Sequence, residues 1–477
     1  MDLILKYLRL LNPILANDSY KLSHADQTPS DTSFTYSHLT PRSVKYMKRL
    51  FPSMEDKVIV YGTQMTMEII ADRWQVAFFD RPWDVIEKET LETLNPMLGT
   101  TTHDLRRFKK LHTLGYLPLR VKSIPEGSWV NANIPMMIVS NTHPDYAWLV
   151  NFLEPSILNT IYKPMSVATL TLELARLRNK YWGMTMPSDE GKEYFLHEFS
   201  YRGQAGHESA AATTSSYLLY TKGTDTMSGV QYARQYYSAS SDVAASIPAF
   251  EHSTATTGIQ YYKGVVEDYK QLNGNTDELA EKLGVSLRAA AEGMKAVLKV
   301  LEQMEDESQK DKDLAAGETF NLARVLIDVY PTGLVAYVSD SYDYQRLVSI
   351  IAPALKEVIL ARDGKFVIRP DSGNPVHVVC GDPEGATEAE RKGSIEVLAD
   401  AFGTITNAKG YKQLPPQIGL VYGDGISYDR LGQILEGLAQ KGFAAANVCI
   451  AMGAYVLAGS TRDSLGFAIK ASHTVVN

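Results

Sequence analysis

Phe366-Val-Ile-Arg-Pro-Asp-Ser-Gly-Asn-Pro375 is a short apolar run that stops at an arginine and an aspartate and then breaks into a glycine and proline loop. The same pattern recurs on both sides of it. Leu334–Val338 is apolar and leads into Ser339-Asp-Ser-Tyr-Asp343 and a helical stretch. Ile418–Tyr422 leads into Gly423-Asp-Gly425 and a helical pattern reaching about Gln440, and Asn447–Ile450 leads into Ala451-Met-Gly-Ala454. Buried strand, polar loop, then helix, repeated, predicts an α/β chain with a parallel sheet or β/α barrel. In such barrels the chemistry sits at the C-terminal strand ends, which is where these polar residues fall.

The first 150 residues lack this rhythm. Lys57–Gly62, Leu117–Ser123 and Pro135–Val139 read as strands, and Pro125-Glu-Gly127 as a turn, so 1–150 is expected to be a smaller α+β domain. Residues 151–477 are then the β/α barrel domain, and 477 residues are enough for both. Between about 262 and 325 the composition turns charged, and Met294, Val297, Leu298, Leu301 and Met304 recur at helical spacing. This stretch is expected to be a helical insertion packed on the surface as a decoration.

A net charge of −8 argues against non-specific nucleic-acid binding, which needs a basic surface. Two cysteines, Cys380 and Cys449, cannot build a disulfide framework or a four-cysteine zinc site. The apolar stretch Leu3–Ala16 is interrupted by Lys6, Arg9 and Pro13, so it reads as a short amphipathic helix rather than a signal peptide. With no run long enough to span a bilayer, no membrane partner is expected and the expected location is cytoplasmic. P-loop, dinucleotide-binding, HExxH and GxSxG signatures are missing from the sequence.

In 366–375, Arg369 and Asp371 lie two residues apart at a strand end. A guanidinium suits phosphate and a carboxylate suits ribose hydroxyls, although an ion pair that merely closes a turn has the same spacing. Tyr422-Gly-Asp-Gly-Ile426 before a helix offers free backbone N–H groups to a phosphate, or is only a turn. His197-Glu-Phe-Ser-Tyr-Arg-Gly203 mixes aromatic, acidic and basic side chains, Lys222-Gly-Thr-Asp-Thr226 sets a carboxylate on a tight turn, and Ala249-Phe-Glu-His-Ser253 supplies a histidine.

Together with Asp18–His24, Ile247–Ser253, Val338–Asp343, Ile368–Pro375 and Thr461-Arg-Asp463, these stretches resemble the nicotinamide phosphoribosyltransferases, in the family's own order along nearly the whole chain. The resemblance implies a type II phosphoribosyltransferase fold, a β/α barrel with a smaller α+β domain. It also implies a homodimer with shared active sites. The expected partners are nicotinamide, phosphoribosyl pyrophosphate and ATP, the last as a coupled co-substrate, and the expected cofactor is Mg²⁺, for which no ligand set is assigned.

By the same resemblance Phe199 stacks on the pyridine and Tyr20 closes its other face from the partner subunit. Asp225 accepts a hydrogen bond from the carboxamide. Arg202 and Arg369 lie over the diphosphate and base, Asp371 holds the ribose, and Gly423 and Asp424 meet phosphate and ribose. Asp340 and Gly453 join the substrate-binding set. His252 is the phosphorylated histidine, and Arg42, Arg462 and Lys470 are basic groups near the phosphates.

The chain departs from the family pattern at Ala451-Met-Gly-Ala-Tyr455, where Ala454 replaces a glycine beside the nucleotide phosphate, and at Ala468, which replaces a serine. It ends where relatives continue, so the smaller domain is expected to lack its C-terminal part. Two alternatives share these residues: a nicotinate phosphoribosyltransferase, against which Asp225 argues by repelling a carboxylate, and a non-catalytic nicotinamide or nucleotide-binding protein. An unrelated sugar-phosphate barrel enzyme shares only the strand–helix rhythm.

Overall fold

The computed structural model describes residues 2–99 and 104–477. The strands that position the site are β1 (Thr32–Pro41), β2 (Leu119–Ser123), β3 (Met137–Asn141), β4 (Leu196–Glu198), β5 (Gly223–Thr224), β6 (Thr332–Val338), β7 (Asp363–Arg369), β8 (Ile418–Tyr422), β9 (Val448–Met452) and β10 (Phe467–Val476). They form two sheets. β10-β1-β3-β2 is antiparallel, and β5-β4-β9-β8-β7-β6 is parallel throughout.

The parallel sheet curls until its two edges meet one segment. Gly223 at the β5 edge bridges Ala245, and Ala336 in β6 bridges Ala249, both in parallel sense. Thr224 N–H donates to Ala245 O at 3.0 Å, and Ala336 N–H donates to Pro248 O at 2.9 Å. Residues 245–249 thereby close the barrel. Pro248 lacks an N–H, so this segment carries no strand signature in the sequence.

Strand residues alternate between two surroundings. Val335, Phe366, Ile368, Leu420 and Ile450 point outward into the main core. Ala336, Val367, Val421 and Ala451 point into the lumen, where Phe199 and Cys449 join them. Small inward side chains leave the barrel partly hollow, which is what makes room for a ligand.

The helices to note are α1 (Glu154–Thr185), α2 (His207–Tyr217), α3 (Met227–Tyr237), α4 (His252–Tyr262), α5 (Leu287–Glu302), α6 (Gln309–Arg324) and α7 (Tyr428–Gln440). α7 shows why they form where they do. Ser427 accepts from the Arg430 N–H as an N-cap, and Leu431, Ile434, Leu435 and Leu438 bury one face. The stretch after α4 is helical, as its pattern predicts, with a small core built on Val265, Leu279, Met294, Val297 and Phe320, but Val300, Met304, Leu322 and Ala323 join the main core, so it is not the surface decoration expected. Leu298, counted into its apolar stripe from sequence, is instead exposed to solvent. Tyr236 and Tyr237 are only partly buried.

The last strand departs from the expected division at residue 150. β10 pairs antiparallel with β1 from Thr32↔Val476 to Pro41↔Phe467. Residues 467–476 are thus placed in the small antiparallel sheet and not in the barrel. No helix among the described residues is long and apolar enough to cross a membrane.

Candidate active site

The C-terminal strand ends gather most of the chemistry-bearing residues. β4 ends in Glu198, fully buried, whose carboxylate accepts from Ser200 N–H at 2.5 Å, Thr214 Oγ1–H at 2.9 Å and Thr224 Oγ1–H at 2.7 Å. Such a saturated carboxylate fixes the ends of β4 and β5 together. Phe199 follows, with its N–H bonded to Met452 O at 2.9 Å. Its ring approaches Gly423 so closely that a Cβ there would meet Phe199 Cδ2 at 3.1 Å. Glycine at 423 is therefore a packing requirement as well as a loop residue.

A cavity of about 840 Å³ runs along the lumen, from Phe199 and Arg369 at the C-terminal strand ends to Tyr194, Gln413 and Asn447 beyond the N-terminal ends. Phe199, His197, Asp225, Ser246, Arg369 and Cys449 are among its lining. The Arg369 guanidinium lies 5.5 Å from the Phe199 ring centroid, in cation–π range. Its Nη2 donates to Asp371 Oδ2 at 3.3 Å, and its Nη1 to Phe250 O at 3.4 Å. The proposed phosphate and ribose residues are thus linked, as their spacing allowed.

Asp225 presents its carboxylate to the same cavity. Burial raises its pKa, but hydrogen bonds from His197 and Ser246 and the Arg369 charge prevail and hold it below the ordinary aspartate value. It is the carboxylate beside Phe199 and Arg369, while Glu190 also lines the cavity.

A second cluster continues along the rim. Asp340 Oδ1 lies 3.1 Å from His252 Nε2, while its Oδ2 accepts from Asp371 N–H at 3.0 Å and Ser372 Oγ–H at 2.6 Å. His252 opens α4 and is half exposed. Tyr422 Oη–H donates to the carbonyls of Ser372 and Gly373 at 2.8 and 3.1 Å, which ties the 371–374 loop to the end of β8. Asp424 is exposed on the adjoining loop.

Arg202, on the exposed turn Tyr201–Gly203, and Gly453 with Ala454, after β9, flank this rim. The Ala454 methyl fills the space over Gly203, where a Cβ would sit 2.2 Å from it. The family glycine that Ala454 replaces is thus matched by a glycine opposite.

Four expected residues lie elsewhere. Tyr20 and Arg462 line a separate cleft with Asp18, Arg73 and Glu154. Arg42 Nε–H donates to Gly466 O at 2.9 Å beside the β1–β10 pair, and Lys470 stands exposed on β10 opposite His38. Within one chain these four do not share the barrel cavity.

Sequence reasoning missed three contributors. Ser246 sits in the closing segment, whose role only the folded barrel reveals. Glu198 and His197 lay inside a quoted motif without a role; His197 stands two residues before Phe199, and that spacing puts both on one face of an extended strand. Their rings are 5.0 Å apart. Among the described residues no group of three His, Cys, Asp or Glu side chains is arranged to hold a metal ion.

Residues 194–477 match the family described as the nicotinate phosphoribosyltransferase (NAPRTase) family. The chain is 32% identical over 475 residues to a nicotinamide phosphoribosyltransferase of Acinetobacter baylyi, covering 98% of this chain and 83% of that one. It is 28% identical over 484 residues to the nicotinamide phosphoribosyltransferase of Mycoplasma pneumoniae, covering 96% and 89%. The crystal structure of human nicotinic acid phosphoribosyltransferase superposes with a TM-score of 0.57 at 18% identity, covering 96% of this chain and 74% of that one.

Proposed function

Because the chain belongs to the nicotinate phosphoribosyltransferase family, with the type II phosphoribosyltransferase fold, we propose that it transfers phosphoribosyl from phosphoribosyl pyrophosphate to nicotinamide, forming nicotinamide mononucleotide and diphosphate in NAD salvage. The family's name covers a pyridine acid, whereas the curated relatives cited act on the amide by their names. The observation that carries the amide is Asp225. A carboxylate held ionised in the cavity accepts an amide N–H₂ and repels a second carboxylate.

The chemistry needs no general base, since the pyridine nitrogen already holds its lone pair. The barrier lies in breaking the bond from C1 to diphosphate through an oxocarbenium-like state, so positioning and cations on the leaving group supply the rate. Phe199 would stack on the ring, Asp371 would hold the ribose, and Arg369 with Arg202 would meet the diphosphate. Tyr20, Arg42, Arg462 and Lys470 would come from a second copy, which would supply the other ring face and further cations. This reading gives their separation from the cavity a use.

Mg²⁺ would arrive with the diphosphate and supply charge neutralisation, since it commonly binds one or two carboxylates plus substrate oxygens. The open Asp424 carboxylate suits that role. For ATP coupling, Asp340 would hold the His252 tautomer with hydrogen on Nε2, leaving Nδ1 free to accept a phosphoryl group.

The test is a product assay. The purified chain with nicotinamide, phosphoribosyl pyrophosphate and Mg²⁺ is expected to form the mononucleotide, faster with ATP, and His252→Ala is expected to remove the ATP effect. No mononucleotide under either condition would favour a non-catalytic binding protein.

A further inference from the structure

Asp225 is not free to turn. Ser246 Oγ–H donates to its Oδ1 at 2.5 Å, and His197 Nε2 lies 3.1 Å from the same oxygen. Two donors on Oδ1 leave Oδ2 as the oxygen open to a ligand. The three residues come from neighbouring parts of the barrel wall: β4, the end of β5, and the closing segment 245–249.

We propose that His197 is a positioning residue that sets acceptor selectivity: with Ser246 it turns Asp225 so that Oδ2 faces the pyridine substituent, and its charge tunes how strongly the site rejects a pyridine carboxylate. The inference rests on the nicotinamide reading above and deepens it.

The surroundings of the imidazole support this. Burial works against its proton, but the hydrogen bond to Asp225 and the contact with Cys449 outweigh burial and lift its pKa to about 9. The groups facing it are few. Asp225 and Ser246 lie on one side, and the Cys449 thiol comes from β9. Arg369 on β7 acts on Asp225, and Lys365 on β7 acts on Cys449. The Tyr217 hydroxyl, from α2, donates to the His197 carbonyl at 3.3 Å.

Near pH 7 the imidazolium offsets part of the Asp225 charge, so Oδ2 still repels an incoming carboxylate but less than an unpaired carboxylate would. Above about pH 9 the imidazole keeps an N–H on Nε2 but loses its charge. Nicotinamide binding should then hold, while nicotinate is rejected more strongly.

The experiment measures KM for nicotinamide and the inhibition constant of nicotinate from pH 7 to 10. It compares wild type, His197→Ala and His197→Gln, and the His197 ring is titrated by NMR in the ligand-free protein. The nicotinate constant of wild type is expected to rise through an apparent pKa near 9. His197→Ala should raise KM for nicotinamide about tenfold with kcat little changed, the scale of one charge-assisted hydrogen bond. His197→Gln, an uncharged donor, should recover most of that loss and abolish the alkaline rise.

A nicotinamide KM in His197→Ala within about twofold of wild type, or an imidazole that titrates at its ordinary value, overturns the proposal. The NMR titration does not depend on turnover. Absence of product in wild type would sink the function while the ring titration still judges the positioning role.

Discussion

A single side chain, Asp225, separates an amide-using enzyme from an acid-using one on this reading. Asp225→Ser would remove the repulsion toward nicotinate and lose the acceptor for the amide. Each change is about 1–2 kcal/mol, so the ratio of kcat/KM for nicotinamide over nicotinate should fall roughly a hundredfold; steady-state kinetics with both pyridines checks this, and an unchanged ratio would refute the role. Arg369 and Asp371 could be picked out before folding from strand-end position and residue type, whereas Phe199 and Asp225 are named by the family resemblance. Ser246 and His197 could not be given roles, because their partner lies 21 and 28 residues away in sequence and is met only after the barrel closes.

At the scale of elements, the strand–loop–helix rhythm was legible because a parallel strand buried on both faces reads as an unbroken apolar run. β8 and α7 end where that pattern predicts. The closing segment was not legible, since Pro248 and a run of isolated bridges give no strand signature. β10 misled for a different reason: a C-terminal strand of ten residues carries no mark of which sheet it will join.

A further buried carboxyl belongs to this scale. Glu318 on α6 is buried, and its Oε1 has no hydrogen-bond partner among the described residues. Burial raises its pKa, Arg346 opposes and Asp343 adds to the rise, which brings it to about 8. A carboxyl whose folded pKa is raised contributes its full stability below the ordinary carboxylate range and loses it as pH climbs toward about 8. Glu318→Gln imitates the protonated form. It should raise the unfolding temperature by a few degrees at pH 8, change it little at pH 5, and flatten the slope between, as followed by calorimetry. A variant no more stable at pH 8 than wild type would contradict this account.

For the whole molecule, the two sheets divide the labour. On the proposed reading the barrel carries the ring face, the amide reader and the ribose loop; the antiparallel sheet and the segments flanking it carry Tyr20, Arg42, Arg462 and Lys470. One copy holds both halves on different surfaces, so two copies related by a two-fold axis would assemble two complete sites. Sequence could name both halves by resemblance, but not how far apart they stand in one chain, since that distance is set by the packing of one sheet against the other.

The most direct measurement of this claim mixes two inactive variants. Phe199→Ala and Tyr20→Ala, each purified and each nearly inactive alone, are combined in equal amounts and allowed to exchange subunits. Half of the pairs formed would be mixed, each with one intact site, so mononucleotide synthesis should recover to about a quarter of the wild-type rate. Recovery near that level is the predicted result; a mixture no more active than its two components, once subunit exchange has been verified by mass, would contradict a pyridine held between Phe199 of one copy and Tyr20 of another.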